Sequence, residues 1–397
     1  MRILINDHAG HPFQVQLSRT LAQRGHQVAH TFTADLQTPR GALSKNGDAT
    51  ENLTVQPIRL KRPFSRYGLI DRFVQERELG QALAAYVRKW QPGVVVSANT
   101  PIGSQKILAE CCKNVGTGFI FWLQDVLGTG IKNNVSKKLP GIGHLVGEYY
   151  IRQENGLLKK SQAVVAITED FEPVLKKAGV DADRIHVVEN WAPLDEVPVV
   201  DKDNNWSRSQ GLVQTFNFIY SGTLGMKHNP QLLVDLAQEF AGQDQVRVVV
   251  ISEGLGAEFL AEQKKKLGLD NLILLGFQPF DQVPQVQGAA DVLIAILEPD
   301  AGVFAVPSKV LTYLCARRPL LLAVPLENLA ARIVAENMAG VVGDPGDSQA
   351  FVQGARQLWQ DQELRERMAE NGRKYAEERF DIEKITDRFE EIIHGVV

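Results

Sequence analysis

Short apolar runs alternate with longer amphipathic runs along most of the chain. The run "RILIN" (2–6) precedes a segment with apolar residues at Phe13, Leu17 and Leu21, and "HQVAHTF" (26–32) follows it. Apolar residues spaced by four lie on one face of a helix, whereas short apolar runs are typical of buried strands. This order of strand, helix and strand predicts a parallel sheet that is flanked by helices.

The alternation pauses once and then begins again. Residues 191–215 are polar, with several prolines and paired asparagines, whereas 216–297 repeat the earlier rhythm and the last part of the chain has a helical pattern. We therefore predict an α/β fold with two Rossmann-like, doubly wound domains that face a central cleft. The predicted parts are a first domain at 1–193, a linker at 194–214, a second domain at 215–375 and a final helix at 376–397 that packs back on the first domain.

Composition excludes several classes of protein. A chain of 397 residues is long enough for two domains. Its formal net charge of −4 gives no indication of nucleic-acid binding, and three cysteines form neither a disulfide framework nor a zinc pattern. The beginning, "MRILINDHAG", lacks the features of a signal peptide, and no apolar run reaches the roughly 18 residues of a membrane span. We expect a cytoplasmic protein.

Loops at the carboxyl ends of the predicted strands are where ligands bind in sheets of this kind. Gly10 ends the first strand before a helix, and a helix start favours an anion. The loop "SGTLGMK" (221–227) begins the second domain, and its backbone N–H groups and Lys227 suit phosphate oxygens. Ser308 and Lys309 stand where another helix begins, so Lys227 and Lys309 are predicted to converge on a diphosphate. The alternative is a capped helix with solvated lysines.

Two further loops suit a nucleoside. Glu253 and Gly254 form a turn after one strand, and Phe277 and Gln278 follow the next. An apolar surface with free backbone polar groups fits a base, although core packing also explains the aromatic residues. A G-x-G-x-x-G fingerprint is missing, which disfavours a dinucleotide site and a dehydrogenase. The triplets "DAD" (181–183) and "DKD" (201–203) are interpreted as surface residues, so no metal is expected.

Three segments of the second half resemble a known family when taken in order. "SGTLGMKHN", "LGFQPFDQVPQVQGAADVLI" and "VPSKVLTYLCARRPLLLAV" are similar to the second domain of the retaining glycosyltransferases of family 4, which have the GT-B fold. "RGHQV" and "VVENW" (187–191) are similar to its first domain. The branch that the chain resembles most is the extracellular-polysaccharide branch, which includes the colanic-acid transferases.

The resemblance implies a hexosyltransferase that moves a sugar, with UDP-glucose as the expected donor, to a saccharide or lipid-linked saccharide in exopolysaccharide biosynthesis. It implies no cofactor besides this co-substrate and no metal. The departing phosphate can accept the proton of the acceptor, so no protein base is required. The implied catalytic residues are Asp125, Lys227 and Lys309. The implied diphosphate contacts are Gly10, Gly222, Thr223, Lys227, Ser308 and Lys309.

The resemblance also implies the remaining contacts. Many relatives have two glutamates where this chain has Phe304 and Thr312, so Glu298 and Asp300 are the candidates to replace them. Asp125 stands where many relatives have a histidine near the sugar. The implied donor-sugar contacts are Glu298, Asp300, Gly302, Val303 and Phe304, and the implied nucleoside contacts are Glu253, Gly254, Phe277, Gln278 and Thr312.

Two segments of the first domain mix basic and apolar residues, at 59–73 and 132–152. Because lipid-linked acceptors lie at a membrane, these segments are candidates for peripheral contact with its anionic, cytoplasmic face. Ordinary solvated loops are the alternative. Two other functions stay open at this point: a sugar-nucleotide epimerase of similar fold, which would use groups such as His11 and Asp125, and a non-enzymatic binding protein.

Overall fold

A computed structural model describes residues 1–34, 36, 51–61, 69–138, 142–299, 302–303 and 307–397. The chain divides into two compact units, of which the first is Met1–Asn190 with Asp381–Val397 and the second is Trp191–Phe380. Each unit contains one parallel sheet with helices on its faces. The prediction of two Rossmann-like α/β domains is therefore confirmed.

The first unit is built around a parallel sheet in the order β3-β2-β1-β4-β5-β6-β7. Among the described residues its strands are β1 Arg2–Asp7, β2 Gln27–Thr33, β3 Leu53–Ile58, β4 Val94–Ala98, β5 Gly118–Leu123, β6 Ala163–Ala166 and β7 Ile185–Val187. Its helices there are α1 Pro12–Gln23, α2 Leu69–Trp90, α3 Ile102–Val115, α4 Leu127–Lys138, α5 Ile142–Lys160 and α6 Glu172–Lys177. The central strands are buried along almost their whole length, as their apolar runs predict.

The second unit repeats this plan with a sheet in the order β10-β9-β8-β11-β12-β13. Its strands in the described ranges are β8 Phe216–Ser221, β9 Val246–Ile251, β10 Leu272–Leu275, β11 Val292–Ile296, β12 Leu320–Ala323 and β13 Gly340–Gly343. Its helices there are α7 Asn205–Ser209, α8 Gln231–Glu239, α9 Leu255–Leu267, α10 Val283–Gly288, α11 Ser308–Cys315, α12 Leu329–Glu336, α13 Ser348–Gln360 and α14 Gln362–Arg379. Strand β8 lies between β9 and β11, so the loops that follow these three strands meet at one edge.

The predicted linker at 194–214 is an ordered part of the second unit. It contains α7, whose Trp206 is buried, and Lys202 forms an ion pair with Asp291 at 2.6 Å. The pattern of prolines and asparagines indicated a break in the alternation. Long-range packing of the tryptophan, which a local pattern does not contain, explains why the segment is nevertheless ordered.

The last helix, α15, is Ile382–His394 and belongs to the first unit. It begins at Ile382 rather than at residue 376, because the side chain of Asp381 accepts hydrogen bonds from the N–H groups of Glu383 and Lys384 and so caps a new helix. The ring of Phe389 packs on Trp122 of β5, with centroids 4.7 Å apart. The end of the chain thus completes the core of the first unit.

The two basic segments are only partly described. Residues 62–68 and 139–141 lie outside the described ranges. Of the described residues, Arg72 pairs with Glu76 at 3.0 Å and Lys132 pairs with Glu148 at 2.6 Å, whereas Leu145 and Tyr149 are exposed. No described helix is both long enough and apolar enough to cross a membrane.

Candidate functional site

Lys309 is the most unusual cation in the described part of the second unit. It lies in the first turn of α11, and its Nζ atom is buried without a hydrogen-bond partner among the described residues. The residue as a whole is only partly buried, so complete burial is specific to its charged end. Burial lowers the pKa of Lys309 to about 7. A buried amine without a partner is costly, and such a group is expected where a ligand supplies the missing acceptors.

The surroundings of Lys309 direct its amine toward the loop that follows β8. The Nζ atom lies 3.9 Å from the centroid of the Tyr220 ring, which holds it by a cation–π contact. Gly222 has a φ of +130°, and a Cβ atom at that position would lie 3.0 Å from Nζ. The missing side chain of Gly222 therefore leaves space beside the amine, and the adjacent Thr223 is exposed. This combination of a glycine loop and a buried lysine suits phosphate oxygens.

Lys227 lies in the same loop but already has a partner. Its Nζ atom donates a hydrogen bond to Oε1 of Glu298, and Oε2 of Glu298 lies 3.1 Å from Nε2 of His228. Nδ1 of His228 accepts a hydrogen bond from the N–H of Gly225 at 2.9 Å, which holds the ring beside Glu298. Burial raises the pKa of Glu298, but the contacts with His228 and Lys227 outweigh it and hold this pKa at about 2.

The start of α11 is held by a tyrosine. The hydroxyl of Tyr313 accepts a hydrogen bond from the N–H of Ser221 and donates one to its carbonyl, both at 3.1 Å. These bonds fix the end of β8 against α11, and Ser308 is exposed beside Lys309. The structure thus brings the residues predicted to bind a diphosphate in this unit, Gly222, Thr223, Lys227, Ser308 and Lys309, to one edge of the sheet.

Thr312, at a position where many relatives have a glutamate, uses its hydroxyl within the protein. Its Oγ1 donates to the carbonyl of Lys309 at 2.9 Å and accepts from Nε2 of Gln287 at 3.0 Å. Its only proton is therefore unavailable to a ribose. Gly302 has a φ of +48° and its carbonyl accepts from Asn328 at 2.6 Å, while Val303 is partly buried. Asp300 and Phe304 lie outside the described residues.

The predicted nucleoside loops lie together after β9 and β10. Oε1 of Glu253 accepts a hydrogen bond from the N–H of Phe277 at 3.1 Å, and the side chain of Phe277 is exposed. Oε1 of Gln278 accepts from the indole N–H of Trp206 at 3.0 Å. Gly254, which precedes α9, has a φ of +91°. An exposed aromatic ring beside backbone groups is compatible with stacking of a base.

The first unit has a polar cluster of its own after β1. Asp7 ends this strand and is fully buried, and its carboxylate accepts from the N–H of Ala9 at 3.1 Å and from the N–H of His11. Nδ1 of His11 lies 3.3 Å from Asp7, and Nδ2 of Asn99 donates to Asp7 at 3.3 Å. Gly10, with a φ of +78°, makes the turn that brings His11 back to Asp7.

Electrostatics within this cluster couple the histidine to two carboxylates. Burial lowers the pKa of His11, but attraction and hydrogen bonding by Asp7, together with attraction by Asp125, outweigh it and raise this pKa. Burial raises the pKa of Asp7, but the attraction and hydrogen bonds of His11, together with attraction by His30, outweigh it and lower this pKa. Asp125 follows β5 and is exposed. The structure therefore places the predicted residues Gly10 and Asp125 at the same sheet edge as His11.

Sequence reasoning did not identify Asp7, His228 and Tyr220 as site residues. Asp7 carried a signal, because a carboxylate directly after an apolar strand is unusual unless it has partners. His228 stands beside Lys227, but only the fold shows that it faces Glu298. No group of three or more potential metal ligands of the His, Cys, Asp or Glu type occurs within the described residues.

Two family models match successive parts of the chain. The model described as "Glycosyl transferase 4-like domain" matches residues 11–191, and "Glycosyl transferases group 1" matches residues 203–375. No curated protein sequence matches the chain significantly. Together with the two parallel-sheet units, these matches define a glycosyltransferase of the GT-B type. The chain belongs to the glycosyltransferase group 1 and family 4-like proteins.

Solved structures similar to the chain agree with this fold. Anabaena HepE in complex with UDP and glucose has a TM-score of 0.74 at 17% identity, with 100% of both chains covered. Sucrose-phosphate synthase from Thermosynechococcus elongatus has a TM-score of 0.74 at 15% identity, covering 99% of this chain and 98% of that one. A UDP-forming α,α-trehalose-phosphate synthase from Burkholderia xenovorans has a TM-score of 0.71 at 11% identity, covering 100% and 99%.

Proposed function

We propose that the protein is a retaining hexosyltransferase that transfers glucose from UDP-glucose to a saccharide or lipid-linked saccharide during polysaccharide biosynthesis. The observation that carries this proposal is the Nζ atom of Lys309, buried beside the glycine loop after β8 with no hydrogen-bond partner among the residues that the structure describes. A nucleoside diphosphate would supply the acceptors that this amine lacks. Structures of HepE with UDP and with UDP-glucose support the choice of a uridine donor.

Each loop of the second unit has a place in this proposal. The base packs near Phe277, and the diphosphate lies on the N–H groups around Gly222 with Lys309 beside it. As the bond between the sugar and the phosphate breaks, negative charge grows on the leaving UDP, and Lys309 stabilises it. In other enzymes a bound metal ion neutralises the charge on the leaving group, and here the cationic loop does so. Lys227 joins the diphosphate once it leaves Glu298.

The assay that tests this function measures UDP release from a panel of UDP-sugars in the presence of EDTA. Purified protein is offered saccharide acceptors and lipid-linked saccharides extracted from bacterial membranes, and NMR gives the anomeric configuration of the product. We expect UDP to be released from UDP-glucose only when an acceptor is present. The product should keep the anomeric configuration of the donor. Lys309→Met is the matched inactive variant. Transfer from another donor or an inverted product would contradict the proposed donor or stereochemistry.

We also propose peripheral contact with the cytoplasmic membrane face. Leu145 and Tyr149 of α5 are exposed apolar side chains within one of the two basic segments, which suits the boundary of an anionic bilayer. Sedimentation with vesicles of phosphatidylglycerol and phosphatidylcholine tests this, with Leu145→Glu as the variant and pure phosphatidylcholine as the control. Equal sedimentation with both kinds of vesicle would exclude the contact.

A further inference from the structure

We propose that Trp206 is a positioning residue of the uridine site, which orders the loop after β10 through a hydrogen bond from its indole N–H to Gln278. This inference rests on the proposed function, because it concerns the base of the same UDP-sugar donor. Trp206 lies in a segment whose composition predicts a linker, so nothing in its local pattern indicates this role. All the contacts that carry the inference lie within the second unit.

Trp206 is held in place by α7 and α10. At the start of α7 the side chain of Asn204 accepts from the N–H of Ser207, and the hydroxyl of Ser207 accepts from the N–H of Asn204, both at 3.0 Å. The N–H of Trp206 donates to Oε1 of Gln285 in α10 at 3.2 Å, and Nδ2 of Asn204 donates to the carbonyl of Gln285 at 3.0 Å. The tryptophan is only 5% exposed. The position of its indole is therefore set by packing within the unit.

The side-chain amide of Gln278 is oriented by two partners of opposite kind. Its Oε1 accepts from the indole N–H of Trp206 at 3.0 Å, and its Nε2 donates to the carbonyl of Gly276 at 2.9 Å. An indole N–H only donates and a carbonyl only accepts, so a single orientation of the amide makes both bonds. Gln278 thus connects the fixed indole to the backbone of its own loop, two residues earlier in the chain.

A second contact holds the same loop from the side of β9. Oε1 of Glu253 accepts from the N–H of Phe277 at 3.1 Å, but Glu253 is exposed, so water competes for this bond. Breaking the bond from Trp206 would instead leave a buried donor without its partner, which is costly. We therefore assign the larger part of the ordering of this loop to Trp206.

The ordered loop leaves two backbone groups for a ligand. The carbonyl of Phe277 and the N–H of Gln278 have no hydrogen-bond partner among the residues that the structure describes, and the side chain of Phe277 is 50% exposed. A flat apolar surface with a placed donor and acceptor suits a pyrimidine base. Groups that are ordered before the ligand arrives reduce the entropy that binding costs. Trp206 thus contributes to uridine affinity through Gln278 rather than by contact with the base.

Calorimetry with Trp206→Phe tests the proposal, because phenylalanine keeps an aromatic ring and lacks the indole N–H. The affinities for uridine and for UDP should fall by the same factor, roughly two- to twelvefold, which is the range of one ordinary hydrogen bond. The affinity for inorganic pyrophosphate, which has no base, should not change. In the transfer assay the KM for UDP-glucose should rise while kcat stays the same. Trp359→Phe is the matched control, because Trp359 packs on Phe240 elsewhere in the unit, and it should bind all three ligands as wild type does.

A double-mutant cycle shows whether Trp206 acts through Gln278. Gln278→Met removes the acceptor of the indole N–H and keeps a side chain of similar length. Adding Trp206→Phe to Gln278→Met should then cause no further loss of uridine affinity. A further loss as large as the one that Trp206→Phe causes in wild type would show that the two side chains act independently, and it would overturn the assignment.

An NMR measurement on the full chain observes the indole itself. The indole N–H resonance that disappears in Trp206→Phe belongs to Trp206, and uridine should shift it whereas inorganic pyrophosphate should not. Uridine affinity of Trp206→Phe equal to that of wild type would overturn the proposal, and so would an equal loss of affinity for uridine and pyrophosphate. Failure of wild type to bind UDP at all would instead overturn the proposed function.

Discussion

Lys227 and Glu298 form an ion pair that joins the loop after β8 to the end of β11. Oε2 of Glu298 also lies 3.1 Å from Nε2 of His228, and the carboxylate is largely buried while the lysine side chain is largely exposed. A diphosphate that reaches the loop must therefore compete with Glu298 for Lys227. The sequence analysis expected Glu298 to replace a missing sugar-binding glutamate. In the structure its carboxylate instead contacts a lysine that is predicted to bind the diphosphate.

Removing the charge of Glu298 should tighten UDP binding. In Glu298→Gln the competing anion is absent, and exposed ion pairs contribute about 0.2–1 kcal/mol, so we expect a gain in affinity of roughly 1.4- to fivefold. Isothermal titration calorimetry measures the affinity of the variant and of wild type for UDP. Uridine, which has no phosphate, is the control ligand and should bind both proteins with equal affinity. Weaker UDP binding would mean that Glu298 holds Lys227 in place for the ligand.

Replacing Lys309 by methionine should stabilise the protein while it removes diphosphate binding. The pKa of Lys309 is lowered to about 7, so the cost of its buried charge is fully present below pH 7. That cost decreases as the pH rises from 7 toward the ordinary lysine value of 10.5. We expect Lys309→Met to raise the free energy of unfolding by on the order of 1 kcal/mol at pH 6, with a smaller gain at pH 9.

Urea unfolding at the two pH values measures this gain. Lys266→Met is the matched control, because Lys266 of α9 is exposed and its loss should change stability by no more than about 0.5 kcal/mol. A Lys309→Met protein that is no more stable than wild type at pH 6 would show that the amine is not a strained, unpartnered charge.

UDP binding should take up a proton above pH 7. Free Lys309 is largely neutral at pH 8, and a diphosphate beside it favours the charged amine. Calorimetry in buffers with different ionisation enthalpies should give an uptake that approaches one proton per site at pH 8 and falls toward zero at pH 6. Lys309→Met should show no such uptake. A binding enthalpy at pH 8 that does not depend on the buffer contradicts this expectation.

Phe389 should be important for the stability of the first unit, although it lies near the end of the chain. It is fully buried and packs on Trp122, so truncation leaves a cavity in the core. We expect Phe389→Ala to lower the free energy of unfolding by about 3–5 kcal/mol. Urea unfolding followed by tryptophan fluorescence measures it. Lys384→Ala, on the exposed side of the same helix, should have little effect, and a comparable loss there would refute the packing argument.

Local patterns in the sequence predicted the elements well, because strands and amphipathic helices depend on neighbouring residues. The alternation before and after residues 191–215 indicated two parallel sheets, and "PSK" indicated a helix start that carries a lysine. The capping of α15 by Asp381 was missed, since the helical pattern continues across it. Long-range pairs could not be predicted in this way.

The candidate site illustrates the same limit. The sequence marked Lys227 and Glu298 separately, but their pairing depends on the alignment of β8 with β11. Asp7 and Asn99 are brought together by the pairing of β1 with β4. Trp206 reaches Gln278 from a segment whose composition resembles a linker. In each case the partner is chosen by the fold rather than by nearby residues.

The most direct test of the central claim compares UDP with uridine as ligands of wild type and Lys309→Met in the presence of EDTA. Because hydrogen bonds to a charged group contribute about 1.5–3 kcal/mol, wild type should bind UDP more than tenfold more tightly than Lys309→Met does, while uridine binds both proteins equally. EDTA should change neither affinity. Equal affinity of the two proteins for UDP would show that Lys309 does not bind the donor diphosphate.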